Sequence, residues 1–129
     1  AGLDPAERAR FHNLLAEIGR DAVVILSTHI VEDVANLCPR MAVLFEGRIR
    51  LVGSPEEACG KLAGRLWRRT VAHEEVALLE ASLPTISTSL TAGRYEIHAV
   101  ADAAPPGFDP CVPDLEDVYF AVTTGRWTP

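Results

Sequence analysis

An imidazole at the exit of an apolar run is placed to touch whatever binds there. In this chain Val23-Val24-Ile25-Leu26 leads through Ser27-Thr28 to His29. One ring N–H of such a histidine donates to an anionic oxygen while the second nitrogen is held by a backbone or side-chain partner, and the neighbouring hydroxyls donate or accept. Taken alone, Ser27-Thr28-His29 also reads as a polar turn closing a strand. Asp4, in Leu3-Asp4-Pro5, likewise has a plain role as a helix N-cap. Arg65, Arg68 and Arg69 beside Trp67 offer pairing or stacking to an anionic ligand, or else form a solvated strand edge. His12, His73 and His98 sit in ordinary amphipathic patterns and read as structural or surface residues. Cys38, Cys59 and Cys111 leave one thiol unpaired under any disulfide scheme. Their wide spacing without a nearby histidine matches no zinc motif, so no metal ligand is assigned.

Periodicity predicts the elements that position these groups. Phe11, Leu14, Leu15 and Ile18 stand at offsets of zero, three, four and seven, an amphipathic helix over 5–19. Asp4 is its N-cap, Pro5 its first residue, Glu7 the return arm of a capping box and Gly19 its end. The apolar run at 22–27 predicts a strand covered on both faces, as in a parallel sheet. A helix over 30–38 follows, with Ile30, Val34 and Leu37 inward and Pro39 as its stop. Strands at about 40–45 and 48–53, joined by Glu46-Gly47, form a hairpin, and Ser54-Pro55-Glu56-Glu57 opens a short helix. From Arg65 the texture changes. RLWRRTVAH reads as a strand, EEVALLEASL as a helix, TISTSL and RYEIHAVA as strands around Ala92-Gly93, and DLEDVYFAVTTG as a helix after the irregular loop AAPPGFDPCVP. The fold class is α/β: helix-strand-helix-hairpin-helix over 1–62, then a small α+β unit of order βαββα over 63–129.

With 129 residues, 48% of them hydrophobic, the chain can bury an ordinary core without metal or disulfide staples. A net charge of −6, from 18 acidic and 12 basic side chains, argues against nucleic acid as a partner. The unpaired thiol fits a reducing cytosol. No apolar run approaches the ~20 residues of a spanning helix, so the chain itself is expected neither to cross nor to enter a membrane. The opening Ala1-Gly2-Leu3-Asp4-Pro5, without an initiator methionine, reads like the middle of a protein.

Taken together, AGLDP, the helix after it, the apolar run, STH, Glu32-Asp33 and LCPRMAVLFEGRIRLVGSPEEA closely resemble the last third of the nucleotide-binding domain of ATP-binding cassette (ABC) transporters. The resemblance covers about residues 1–60, and it implies roles. Asp4 is similar to the D-loop aspartate, which with Leu3 lies at the interface of two nucleotide-binding domains. His29 is similar to the switch histidine of the H-loop, which contacts the γ-phosphate of ATP, and Ser27 and Thr28 accompany it there. The implied partners are a second nucleotide-binding subunit and a transmembrane permease, which would hold the subunit at the cytoplasmic, inner face of the membrane. ATP and Mg are the implied cofactors of the full-length protein. No G-x-x-x-x-G-K-[ST] is present, nor a signature glycine loop, nor an apolar strand ending in Asp-Glu. The chain alone therefore lacks the groups that hold the β- and γ-phosphates and Mg, and is expected to be inactive. Residues 65–129 resemble, more loosely, the C-terminal extension of exporters of the drug, lipid and polysaccharide type, with Leu115-Glu116-Asp117-Val118-Tyr119-Phe120 similar to their closing "LEDVF" motif.

The expected function is thus that of a C-terminal fragment of an ABC transporter ATP-binding subunit, which couples ATP hydrolysis to export. An alternative is a stand-alone regulatory or dimerisation module built on the βαββα unit. A small hydrolase using His29 is a third, for which the sequence offers no convincing nucleophile or metal partner. In the family's topology the strand at 22–27 lies beside strands this chain does not contain, so an open edge and self-association are expected.

Overall fold

The computed structural model describes residues 2–129, so Ala1 of the AGLDP stretch lies outside it. Helix α1 (Pro5–Ile18) begins as its sequence dictates. The Asp4 carboxylate accepts from the Glu7 backbone N–H at 2.8 Å, and the Glu7 carboxylate accepts from the Asp4 N–H at 3.2 Å. Two backbone donors that the helix leaves unpaired are thereby satisfied within one turn. Helix α2 (Val31–Leu37) stops before Pro39. Strands β1 (Met41–Phe45) and β2 (Arg48–Gly53) form the expected hairpin. Its turn places Glu46 at φ 51° and Gly47 at φ 71°, the paired positive values that match the twist of a tight hairpin. Ser54 and Glu57 repeat the reciprocal cap and start α3 (Pro55–Leu62).

The second half follows the expected βαββα order: β3 (Leu66–Val71), α4 (His73–Ser82), β4 (Thr85–Thr91), β5 (Arg94–Val100) and α5 (Leu115–Thr123). The proline-rich loop adds a short strand, β6 (Asp109–Pro110), beside β3. The sheet order is β4-β5-β3-β6, with every pairing antiparallel. The molecule is a mixed helix and sheet structure with two antiparallel sheets.

Period-two alternation gives this sheet two different faces. Val71, Ile97, Ala99 and Phe108 are buried on one, with Leu79 and Val76 of α4 packed against them. On the other, Leu66, Ile86 and Val100 meet Leu115, Val118, Ala121 and Val122 of α5. The same cluster takes in Val43 and Leu51 of the hairpin and Ala58 and Leu62 of α3, so one core draws on residues from both sides of the 62/63 boundary. Leu62, Leu66, Ile97, Val71 and Val118 are the largest fully buried side chains, each worth about 1.5–3 kcal/mol of burial.

One expectation fails. Residues 22–27 form no strand, and Val23 and Ile25 are 92% and 89% exposed. A strand is made by its neighbours' hydrogen bonds, and among the described residues no strand pairs with this run. The apolar composition persists without the ladder that would bury it. Correspondingly, the stripe of α1 stays largely open at Phe11, Leu14 and Ile18, and Ile30 is exposed at the start of α2 instead of facing inward.

Candidate functional site

Ser27, Thr28 and His29 line one open groove of about 610 Å³ with Val24, Met41 and Tyr119. The groove lies between the irregular run at 24–29, the hairpin and the start of α5. Thr28 Oγ1 accepts from the Ile30 N–H at 2.9 Å, a local bond that bends the chain into α2 and leaves His29 exposed at the corner. The groove wall is mostly apolar, with polar groups at Ser27, Thr28, His29, Cys38, Arg40 and Tyr119, so three of them offer polar contacts to a ligand from the one corner at 27–29. Asp4 does not line this groove; its carboxylate is occupied in the α1 cap.

Helix α1 is nevertheless tied to the helix that follows His29. Asp33 of α2 is buried, and its Oδ1 accepts from Arg8 Nη1 at 2.6 Å and from His12 Nε2 at 3.0 Å. Burial pushes the Asp33 carboxyl upward, but the bonds from His12 and Arg8 outweigh it and hold the group below the usual carboxylate range. Arg8 and His12 are four residues apart, so a single helix face presents both donors to one acid. Asp4 and His29 thus stand at the ends of two helices that are pinned together.

A second polar cluster lies under α5. Glu96 and His98 are two residues apart on β5 and share the face that meets Asp117. His98 Nδ1 lies 2.6 Å from Asp117 Oδ1, and its Nε2 lies 2.8 Å from Glu96 Oε1. Both ring nitrogens face carboxylates, so both must donate, which requires the imidazolium. The Asp117 bond is the main cause that raises His98 to about 8; burial opposes it and Glu96 assists. Asp117 Oδ2 accepts in turn from the Asp114 N–H at 3.1 Å, so one buried carboxylate caps α5 and pairs the histidine. His98 was expected to be an ordinary structural or surface residue, and the partnership with Asp117 has no local signal. The spacing of Glu96 and His98 at i and i+2 was the available clue.

The basic run disperses. Trp67 Nε1 donates to the Ala101 carbonyl at 2.9 Å, Arg65 approaches Asp102 at 3.8 Å, and Arg69 reaches Glu75 at 3.5 Å. Alternation along β3 sends Arg68 to the face opposite Arg69, so the three arginines do not form one anion site.

No protein-family model matches the chain. Among curated proteins it is 35% identical over 63 residues to ABC transporter A family member 6 of Arabidopsis thaliana, covering 49% of this chain and 7% of that protein. It is 38% identical over 63 residues to the phospholipid-transporting ATPase ABCA7 of Homo sapiens, covering 48% of this chain and 3% of that protein. The chain is related to ABC transporters. It spans less than a tenth of the length of these relatives. With ABC transporter A family member 8 of Arabidopsis thaliana the likeness, 29% identity, runs over 89 residues and 68% of the chain. That is longer than either of the units expected at 1–62 and 63–129, so the ABC relationship crosses the boundary between them, as the shared core does. Among the described residues no helix is long and apolar enough to cross a membrane.

Proposed function

We propose that the chain is the C-terminal part of an ATP-binding subunit of an ABC transporter of exporter type, in which ATP hydrolysis drives transport. Residues 1–62 then supply the D-loop aspartate, Asp4, and the switch histidine, His29, while residues 63–129 form an accessory unit closed by α5. The observation that carries this reading is the placement of Ser27, Thr28 and His29 together at the open corner of one groove, in a chain related to ABC transporters. A histidine held there by its backbone can donate to a phosphate oxygen without refolding. Asp33, clamped by Arg8 and His12, keeps α1 and α2 in fixed relation, so Asp4 and His29 move as one unit. ATP and Mg are held chiefly by a phosphate-binding loop outside residues 1–129. The remaining partners are a second nucleotide-binding subunit and a permease, with the subunit at the inner face of the membrane.

Calorimetric titration of the 129-residue chain with Mg-ATP is expected to show no binding up to millimolar nucleotide, because the backbone nest and lysine that cradle phosphates are not among its residues. Low-micromolar binding would overturn the assignment of the phosphate site to another segment.

The chain on its own is expected to self-associate. Val23, Ile25, Leu44, Ile49 and Val52 are all more than half exposed, an apolar surface next to a backbone run that has no ladder. A second copy can cover it by pairing along 23–28. Light scattering at micromolar concentration should report a mass above 14 kDa that falls on dilution. A concentration-independent monomer would show that these side chains are tolerated in water as they stand.

A further inference from the structure

We propose that His98, Cys111 and Asp117 form a binding site for a divalent cation of zinc type, with Glu96 orienting the imidazole. One potential ligand atom from each of the three lies within 4.8 Å of the other two. Ligand bonds of about 2.0–2.3 Å place neighbouring donors of a tetrahedral zinc site roughly 3.3–3.8 Å apart, so the three atoms need only small side-chain adjustments to close around an ion, and binding releases the Nδ1 proton of His98 and the thiol proton of Cys111 to solvent.

Each donor comes from a different element. His98 is on β5, Asp117 is in the first turn of α5, and Cys111 lies on the loop between β6 and α5, where its backbone N–H is anchored to the Leu66 carbonyl at 3.0 Å. This is why the set has no sequence motif: the fold supplies its spacing. The second ring nitrogen of His98 already faces the Glu96 carboxylate at 2.8 Å. A carboxylate behind a metal-bound histidine is the usual means of fixing the ring and strengthening its other nitrogen as a ligand. That leaves Nδ1 on the side shared by Asp117 and Cys111.

An ion-paired histidine requires only the two acids, whereas the thiol adds a ligand that a purely ionic cluster does not use. Thiolate with imidazole selects zinc over magnesium or calcium. Asp117 is buried while His98 and Cys111 are partly open, so the fourth position faces the outside and takes water or an exchangeable ligand. Once bound, the ion would join β5, the proline-rich loop and α5 at one point.

The test uses the whole chain stripped with chelator and titrated with Co²⁺ and then Zn²⁺. The expected result is one equivalent of Co²⁺ with tetrahedral visible absorption and a sulfur-to-cobalt charge-transfer band, displaced by Zn²⁺ with Kd below about 10 μM. Cys111→Ser should abolish the charge-transfer band, and Cys111→Ser and His98→Gln should each weaken Zn²⁺ binding by tenfold or more. Cys38→Ser should change neither. Alkylation of the wild-type chain, read peptide by peptide, gives a measurement independent of any variant: Zn²⁺ should slow modification of Cys111 and leave Cys38 unaffected. A Zn²⁺ Kd above 10 μM, binding undiminished in Cys111→Ser, or equal alkylation of Cys111 with and without Zn²⁺ would each overturn the site.

Discussion

In the longer ATP-binding subunit proposed above, replacing His29 by alanine is expected to lower Mg-ATP turnover by roughly 100- to 1,000-fold, the usual cost of losing one hydrogen-bond donor aimed at developing charge. Nucleotide affinity should change by less than about threefold, because on that proposal a phosphate-binding loop, and not His29, supplies most ground-state contacts. The structure makes this a clean experiment. His29 is exposed and makes no side-chain hydrogen bond among the described residues, so its removal leaves the Thr28 to Ile30 bond and the Asp33 clamp in place. Steady-state phosphate release and equilibrium binding of a fluorescent nucleotide separate the two effects. A turnover number equal to wild type would remove His29 from the mechanism. A fall in affinity matching the fall in turnover would mean that it binds ATP in the ground state.

Asp117→Ala is expected to destabilise the chain by about 3–5 kcal/mol, the cost of removing one member of a buried ion pair and leaving the other behind. For a domain whose whole stability is about 5–15 kcal/mol, that is enough to leave a large unfolded fraction at moderate temperature. The loss has two parts: without Oδ1 the His98 Nδ1–H loses its acceptor and the ring keeps only Glu96 as a partner, and without Oδ2 the Asp114 N–H at the start of α5 loses its acceptor. Urea denaturation should show a lower midpoint with an unchanged slope. In the double variant with His98→Ala the combined cost should be smaller than the sum, since the Nδ1–H left without its acceptor is gone. Additive costs would show that the two groups do not interact.

The same pairing sets a pH dependence for the metal-free chain. Burial raises the Asp117 carboxyl, but the bonds from His98 and then from the Asp114 backbone outweigh this and hold it below its ordinary range, so it stays ionised throughout the neutral region. The folded state holds His98 at about 8 against an ordinary 6.5, with Asp117 and Glu96 facing the ring. Its contribution is therefore complete below about pH 6.5 and is lost as pH rises through about 8. The shift corresponds to an order of 2 kcal/mol. Denaturation midpoints in chelator should fall between pH 6 and pH 9, and His98→Gln should flatten that fall. A wild-type midpoint that rises across this range would contradict the pairing.

Features that depend on neighbours a few residues away can be read from the amino acids without the fold. The caps at Asp4, Ser54 and Asp114 join groups three residues apart, and the Glu46-Gly47 and Ala92-Gly93 turns need only local backbone freedom at positive φ. Such bonds form wherever the segment goes, so α1, α3, α5 and both hairpins lie where the pattern puts them. The resemblance to ABC nucleotide-binding domains is legible for a related reason, since AGLDP and STH are short contiguous strings. Tertiary structure decided the rest. Residues 22–27 have the composition of a buried strand, but burial is a property of the partner strands, and with no paired neighbour among the described residues the run stays irregular and open. The two buried acids are the converse. Asp33 meets donors 25 and 21 residues away, and Asp117 meets a histidine 19 residues away. No local pattern marks such an acid, because only the packing of α2 on α1, and of α5 on the sheet, excludes water from it and makes its partner necessary.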